Sequence, residues 1–391
     1  MIGSGLALLP IHNKWLTDLA TNSKGETLFF LPAFGYLLLI MGTGMFLLHN
    51  WDKVREIGWG DKKVVIPLLI ITGAIGLSGI TADGWQDKLA PLGMGLALFA
   101  VYLVARVLGR GIFLAFIPLV VIGAISTVTS GLLSPGQATG GVITNYCASA
   151  GYIILGTLLV LPHFRNATHR WQLVTVALIG LFFIGALEAV FIVGILGLVL
   201  IARRDFGDHL HLVIGCGAIV IGVWWMLGYL VPLYTGSGNI SYIGMAVSGQ
   251  SAIDYELMEG LTTHRWGVYI QALSDIRLLG HGLFLGTTGG NIVHNLPLII
   301  MHQVGPLAAV MWSFVTIYCL VKTRWKYVWI AVIAASVFDH YLWTQFMPLW
   351  WVLVGVSTTS GIKSDLIFKT RVSSNPIPIG AYRDTGDPEK L

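Results

Sequence analysis

Arg265, Arg277 and His294 stand close together in a chain that is otherwise poor in charge. A guanidinium presents a planar fork of donors that matches phosphate oxygens, so two arginines can clamp a phosphate or diphosphate. The same side chains could instead pair with Asp254, Glu256, Glu259 or Asp275, as surface arginines commonly and weakly do. His294 opens the run HNLPLIIMHQVGPL. A histidine at a helix N-terminus meets the positive end of the dipole, which disfavours imidazolium and keeps the ring neutral, as a general base must be. His302 lies about two turns further down that helix and reads as a hydrogen-bonded core histidine. Asp339 and His340 lie in the run FDHYLWT. An acid there could orient a ring N–H or a sugar hydroxyl, or it could cap a helix.

Other patterns lead to less. Gly280, Gly282, Gly286, Gly289 and Gly290 make a flexible stretch, but no Gly-Lys-Ser/Thr follows, so no phosphate-binding P-loop is expected. Asp208, His209 and His211 resemble metal ligands without a third partner in view. No Asp-x-Asp pair occurs on an outer loop, which argues against metal-dependent glycosyl transfer. Cys147, Cys216 and Cys319 all sit in apolar runs and read as buried thiols.

The elements that must position these residues follow from composition. Of 391 residues, 55% are hydrophobic and only 11% charged, with a mean hydropathy of +0.77. A soluble protein carries about 25% charged residues. The chain is therefore expected to be an all-α, polytopic membrane protein, not a soluble enzyme, a disordered chain or a disulfide scaffold. Fourteen tryptophans suit aromatic belts at two membrane interfaces. The net charge of +4 is too small and dispersed to call for nucleic acid.

Residues 1–27 read as an interfacial segment. Apolar runs follow at 28–49, 63–81, 89–107, 111–128, 141–162, 209–235 and 295–321. The stretch 171–202 divides near Glu188, and 327–338 and 346–360 are short. That makes about eleven helices, with spans over 28–235 and 294–360. If the loop 50–63 is cytoplasmic and the spans alternate, only Lys14, Lys24, Lys88, Arg265 and Arg277 of 23 basic residues lie outside. This positive-inside bias puts the tail 361–391 in the cytoplasm, where its Pro, Gly and scattered charges read as disordered. One long outer loop, 236–293, breaks the pattern, and long loops are usually functional. It should contain an amphipathic helix with Trp266, Tyr269, Ile270, Leu273 and Ile276 on one face, capped by Thr262 or Thr263 and ended by Gly280 and Gly282.

In this order of features the chain resembles the O-antigen ligase and O-antigen polymerase family of membrane glycosyltransferases. The likeness is densest from Arg265 to Leu307. Arg265, Tyr269 and Ala272 match the family's arginine, the aromatic four residues on and the alanine three further. Arg277-Leu278-Leu279-Gly280-His281-Gly282 stands where the family has Pro-Leu-x-Gly-x-Gly, and His294-Asn295 matches its His-Asn pair. Gln303 and Gly305 stand where an acidic residue and a glycine follow, and Phe338 to Thr344 resembles a later segment. Three positions depart: Arg277 replaces the proline, Gln303 the acid, and Gly185 to Val190 holds no counterpart of a middle-helix arginine.

The resemblance implies transfer of a glycan from an undecaprenyl-diphosphate carrier to an acceptor, either lipid A–core sugar or a growing repeat. It implies no metal and no cofactor, and a site on the outer face of the inner membrane. His294 and Arg265 would be catalytic; Arg277, Asn295, Tyr269, Asp339, His340 and Gln303 would line the substrate. Arg277 would take over the missing arginine's charge, unless activity differs or has been lost. A transporter of lipid-linked glycan is the alternative of another class. It would be expected to carry midplane ionisable groups or repeated halves, and Glu188 is its only candidate.

Overall fold

A computed structural model describes residues 1–11, 31–57, 59–81, 85–133, 141, 146–164, 166–184, 265–283, 293, 295–323, 325–338, 340–344 and 346–359. Among the described residues all regular structure is helical and no strand occurs. The helices are α1 (Ile2–Leu8), α2 (Leu31–Ile57), α3 (Lys62–Ser78), α4 (Trp85–Leu108), α5 (Phe116–Leu133), α6 (Tyr146–Val160), α7 (Ala167–Ile184), α8 (Arg265–Ser274), α9 (Leu296–Val304), α10 (Pro306–Lys322), α11 (Lys326–Phe338) and α12 (Met347–Thr358). Three short 3-10 segments follow α3, α4 and α6. Glu188, the run 209–235 and the tail 361–391 lie outside the described residues.

Two stretches, Phe34–Ile57 and Lys88–Leu133, are helical, long and apolar enough to cross a membrane. The second contains the 3-10 segment Gly109–Ala115, whose Gly109 has φ 60°, so it is two helices joined at a bend. Large apolar side chains point outward in helical register. On α2 these are Leu37, Ile40, Met41, Met45 and Leu48; on α10 they are Leu307, Val310, Phe314, Ile317 and Val321. Contiguous exposed apolar stripes of this kind call for an apolar surrounding.

The opening apolar patch is helical, and Leu6, Ala7 and Leu9 are buried where α1 packs on α2. Inside, α3 packs on α4, α12 on α4 and α10 on α3. Asp61 caps α3 by accepting from the Lys63 N–H at 2.9 Å, and its carboxylate also accepts from the Tyr318 hydroxyl on α10. Those two bonds, the hydroxyl's first, hold the Asp61 carboxyl below its ordinary value. The start of α3 is thus fastened to the end of α10.

The tryptophans differ from the belt expectation. Trp312, Trp325, Trp329, Trp343, Trp350 and Trp351 are buried, while Trp51 and Trp59 are exposed. For some of them the polar end of the indole finds a partner inside, although the N–H groups of Trp312 and Trp351 are buried without one among the described residues. Trp329 donates to Ser357 at 2.9 Å and Trp350 to Thr316 at 3.1 Å, so these rings enter the core with their N–H satisfied. Trp312 stacks on Trp350, with ring centroids 5.6 Å apart. Cys319 is buried, as its apolar setting implied.

Candidate functional site

The run expected as one span over 295–321 is two helices. Asn295 is the N-cap of α9, its side-chain oxygen accepting from the Leu298 N–H at 3.2 Å. Pro297 suits the first turn of that helix, where a missing N–H costs nothing. After Val304 the chain breaks at Gly305, with φ 105° and ψ 161°, and Pro306 opens α10. Backbone in this region is essentially restricted to glycine.

The break leaves carbonyls at the end of α9 that no α-helical N–H can reach. A turn from the loop supplies the donors. The His281 N–H donates to the His302 carbonyl and the Gly282 N–H to the Gln303 carbonyl, both at 3.0 Å. The turn closes on itself through the Gly280 N–H and the Arg277 carbonyl, also at 3.0 Å. Gly280 and Gly282 have φ of 70° and 119°. A Cβ on Gly280 would lie 2.2 Å from the Gln303 carbonyl oxygen, so turn and helix touch backbone to backbone.

The helix before the turn is α8. It runs from Arg265 to Ser274 and stops short of Ile276 and the two glycines. It packs on α9 through Ala272, which is buried, and Tyr269 is half-buried beside the core. Leu273 and Ile276 are exposed, so the expected apolar stripe is narrower than the spacing suggested. Thr262 and Thr263 lie outside the described residues.

On the other flank the turn at His340 to Thr344 is built on one carbonyl. The His340 oxygen accepts from the Trp343 N–H at 2.8 Å and the Thr344 N–H at 3.2 Å. The Trp343 indole N–H then donates to the Gln303 side-chain oxygen at 3.0 Å. Gln303 is 2% exposed. It is therefore the junction of the site: its carbonyl holds the 277–282 turn and its side chain holds the 340–344 turn. Replacing it by leucine should strand a buried indole N–H and cost about 1–3 kcal/mol. Thermal unfolding of the purified variant in detergent checks this, and an unchanged midpoint would remove the junction role.

Of the residues singled out from sequence, Tyr269, Arg277, Gln303 and His340 are brought to α8, the two turns and the end of α9, whereas Asn295 caps the other end of α9, about 12 Å away along the helix. The Arg277 side chain is 60% exposed, its Nε 3.8 Å from Asp275 Oδ1, a loose pair that leaves the guanidinium facing outward. His340 is buried. Arg265 is the first residue of α8. His294 and Asp339 lie outside the described residues.

One group was not legible from spacing. His281, between the two glycines, stacks on His302 with ring centroids 4.3 Å apart and planes 15° apart. Its Nε2 lies 2.6 Å from the Asp275 carbonyl oxygen and 3.3 Å from the Asp275 carboxylate. His302, expected as a hydrogen-bonded core histidine, is buried but forms no side-chain hydrogen bond among the described residues. The signal that could have found this group is a histidine inside a Gly-x-Gly turn, where both neighbours exist to bring backbone close.

No protein-family model, curated protein or solved structure matches the chain.

Proposed function

We propose that this protein is a polytopic membrane glycosyltransferase of the O-antigen ligase and polymerase type. The observation that carries the reading is the convergence at Gly305. The turn from Arg277 to Gly282 binds the carbonyls at the end of α9 beside this backbone break, and the helix begun by Arg265 packs on the same α9, whose other end Asn295 caps. The exposed apolar stripes on α2 and α10 support a membrane setting.

Helix α10 has 17 residues, about 25 Å at 1.5 Å per residue, close to the ~30 Å hydrocarbon thickness. With Lys322 and Lys326 at the cytoplasmic side, the Gly305 break falls near the outer boundary. A lipid-linked donor fits this position: its polyprenyl tail lies among helices and its diphosphate reaches the loop.

In the proposed reaction the acceptor oxygen attacks the anomeric carbon of the donor sugar. The bond from that carbon to the diphosphate oxygen breaks, and His294 takes the acceptor proton. Arg265 and Arg277 offset the charge that develops on the leaving diphosphate. The acceptor is lipid A–core sugar for a ligase and a growing glycan for a polymerase.

The test is transfer from undecaprenyl-diphosphate-linked glycan in proteoliposomes. Arg265→Ala should lower turnover about 10²–10³-fold, the usual loss on removing one charge-stabilising donor. Undiminished turnover would end the clamp assignment. Movement of the carrier lipid across the bilayer with no new glycosidic bond would replace the reading with transport. Deleting the gene should leave uncapped core if the protein is a ligase and single repeats if it is a polymerase.

A further inference from the structure

Asp275, His281 and His302 form a group that the glycan-transfer reading does not use. One ligand-capable atom from each lies within 4.8 Å of the other two. Two come from the turn and one from α9, and the backbone bonds from His281 to the His302 carbonyl and from Gly282 to the Gln303 carbonyl hold them on one frame. His302 is 3% exposed and its ring nitrogens form no hydrogen bond among the described residues.

We propose that Asp275, His281 and His302 bind a divalent transition-metal ion, with zinc the best match. Two imidazoles and one carboxylate are a borderline donor set, too nitrogen-rich for Mg²⁺ or Ca²⁺ and suited to Zn²⁺, Co²⁺ or Ni²⁺. Three protein ligands leave a fourth tetrahedral position for water or another oxygen. Bonds of about 2.0–2.1 Å set tetrahedral donors about 3.4 Å apart, so the three donors now stand at most roughly 1.4 Å wider than bound donors would.

The stack shows which part moves. Imidazole lone pairs lie in the ring plane, and two nearly parallel rings cannot both aim at one ion. His302 is fixed on a helix, whereas His281 sits on a turn with a glycine on each side. Loading therefore turns the His281 ring out of the stack and exchanges its contact with the Asp275 carbonyl for a bond to metal. Metal and proton compete for the same imidazole lone pairs. The groups facing the rings are the Asp275 carboxylate, which favours the cation, and Arg277, which adds a like charge nearby.

The experiment titrates Co²⁺ and then Zn²⁺ into the untagged full chain in detergent, reading the visible absorption of Co²⁺ and the metal retained per chain. One ion per chain is expected, with the absorption of tetrahedral Co²⁺ that Zn²⁺ removes. Loss of an outer partner of a metal ligand costs about 10–100-fold in affinity, so His302→Gln should cost at least about 100-fold. Asp275→Asn keeps the shape of a half-exposed side chain and should weaken binding without lowering the unfolding temperature of the metal-free protein. Binding that is absent, or that survives both substitutions unchanged, overturns the proposal. The readout is metal uptake, so a failure of glycan transfer does not decide it.

Discussion

Replacing His294 by alanine is expected to abolish measurable glycan transfer while the protein still inserts and binds its donor. A positioned general base contributes about 10²–10⁴-fold, and in the proposed reaction it would act on an acceptor hydroxyl whose ordinary pKa lies far above neutral pH. The next residue in sequence, Asn295, is the N-cap of α9. The expected pattern is a fall in kcat with little change in the donor KM, since a base acts in the transition state and not in donor binding. Single-turnover transfer from radiolabelled donor lipid measures both. A His294→Ala protein that transfers normally would remove the assignment of the base.

The second large effect is structural. Gly305→Ala should destabilise the fold by about 3 kcal/mol or more. The backbone there costs a non-glycine residue roughly 1–3 kcal/mol by itself. A Cβ would also lie 2.2 Å from the Leu278 carbonyl oxygen, an atom of the turn backbone that has no side-chain freedom with which to retreat. Gly73→Ala is the matched control. Gly73 is inside α3, a Cβ there meets nothing within 4 Å, and alanine should be neutral or stabilising by up to about 1 kcal/mol. Unfolding of the two variants in detergent separates a requirement of this break from a general sensitivity to alanine. Equal midpoints would show that the turn does not depend on Gly305.

Helices were legible where apolar runs were long and bounded. The runs 63–81 and 327–338 correspond closely to α3 with its 3-10 end and to α11, because capping residues and charges mark their ends. The run 295–321 was not legible as two helices. Hydropathy carries no sign of φ; the local mark of the break was the pair Gly305-Pro306, which costs a helix interior about 4 kcal/mol and which an apolar run does not weigh. The tryptophan count misled for a related reason: composition cannot tell an indole at an interface from one whose N–H finds Thr316 or Ser357 in the core. At the site, the family resemblance pointed to Gln303 but not to its use. Its partner Trp343 lies forty residues on, a pairing that only tertiary packing creates. The grouping of Asp275, His281 and His302 was hidden likewise, since two of its members are local and the third comes from another helix.

The bonds across the Gly305 break also set an order of assembly. His281 and Gly282 are synthesised before His302 and Gln303, whose carbonyls they must reach, and Trp343 is made later still. Until residue 303 is made the Gly-His-Gly turn lacks these acceptors, and the second fastening of the site waits for Trp343. A ribosome stalled before residue 343 would hold a chain whose loop is complete in sequence yet still waiting for its frame.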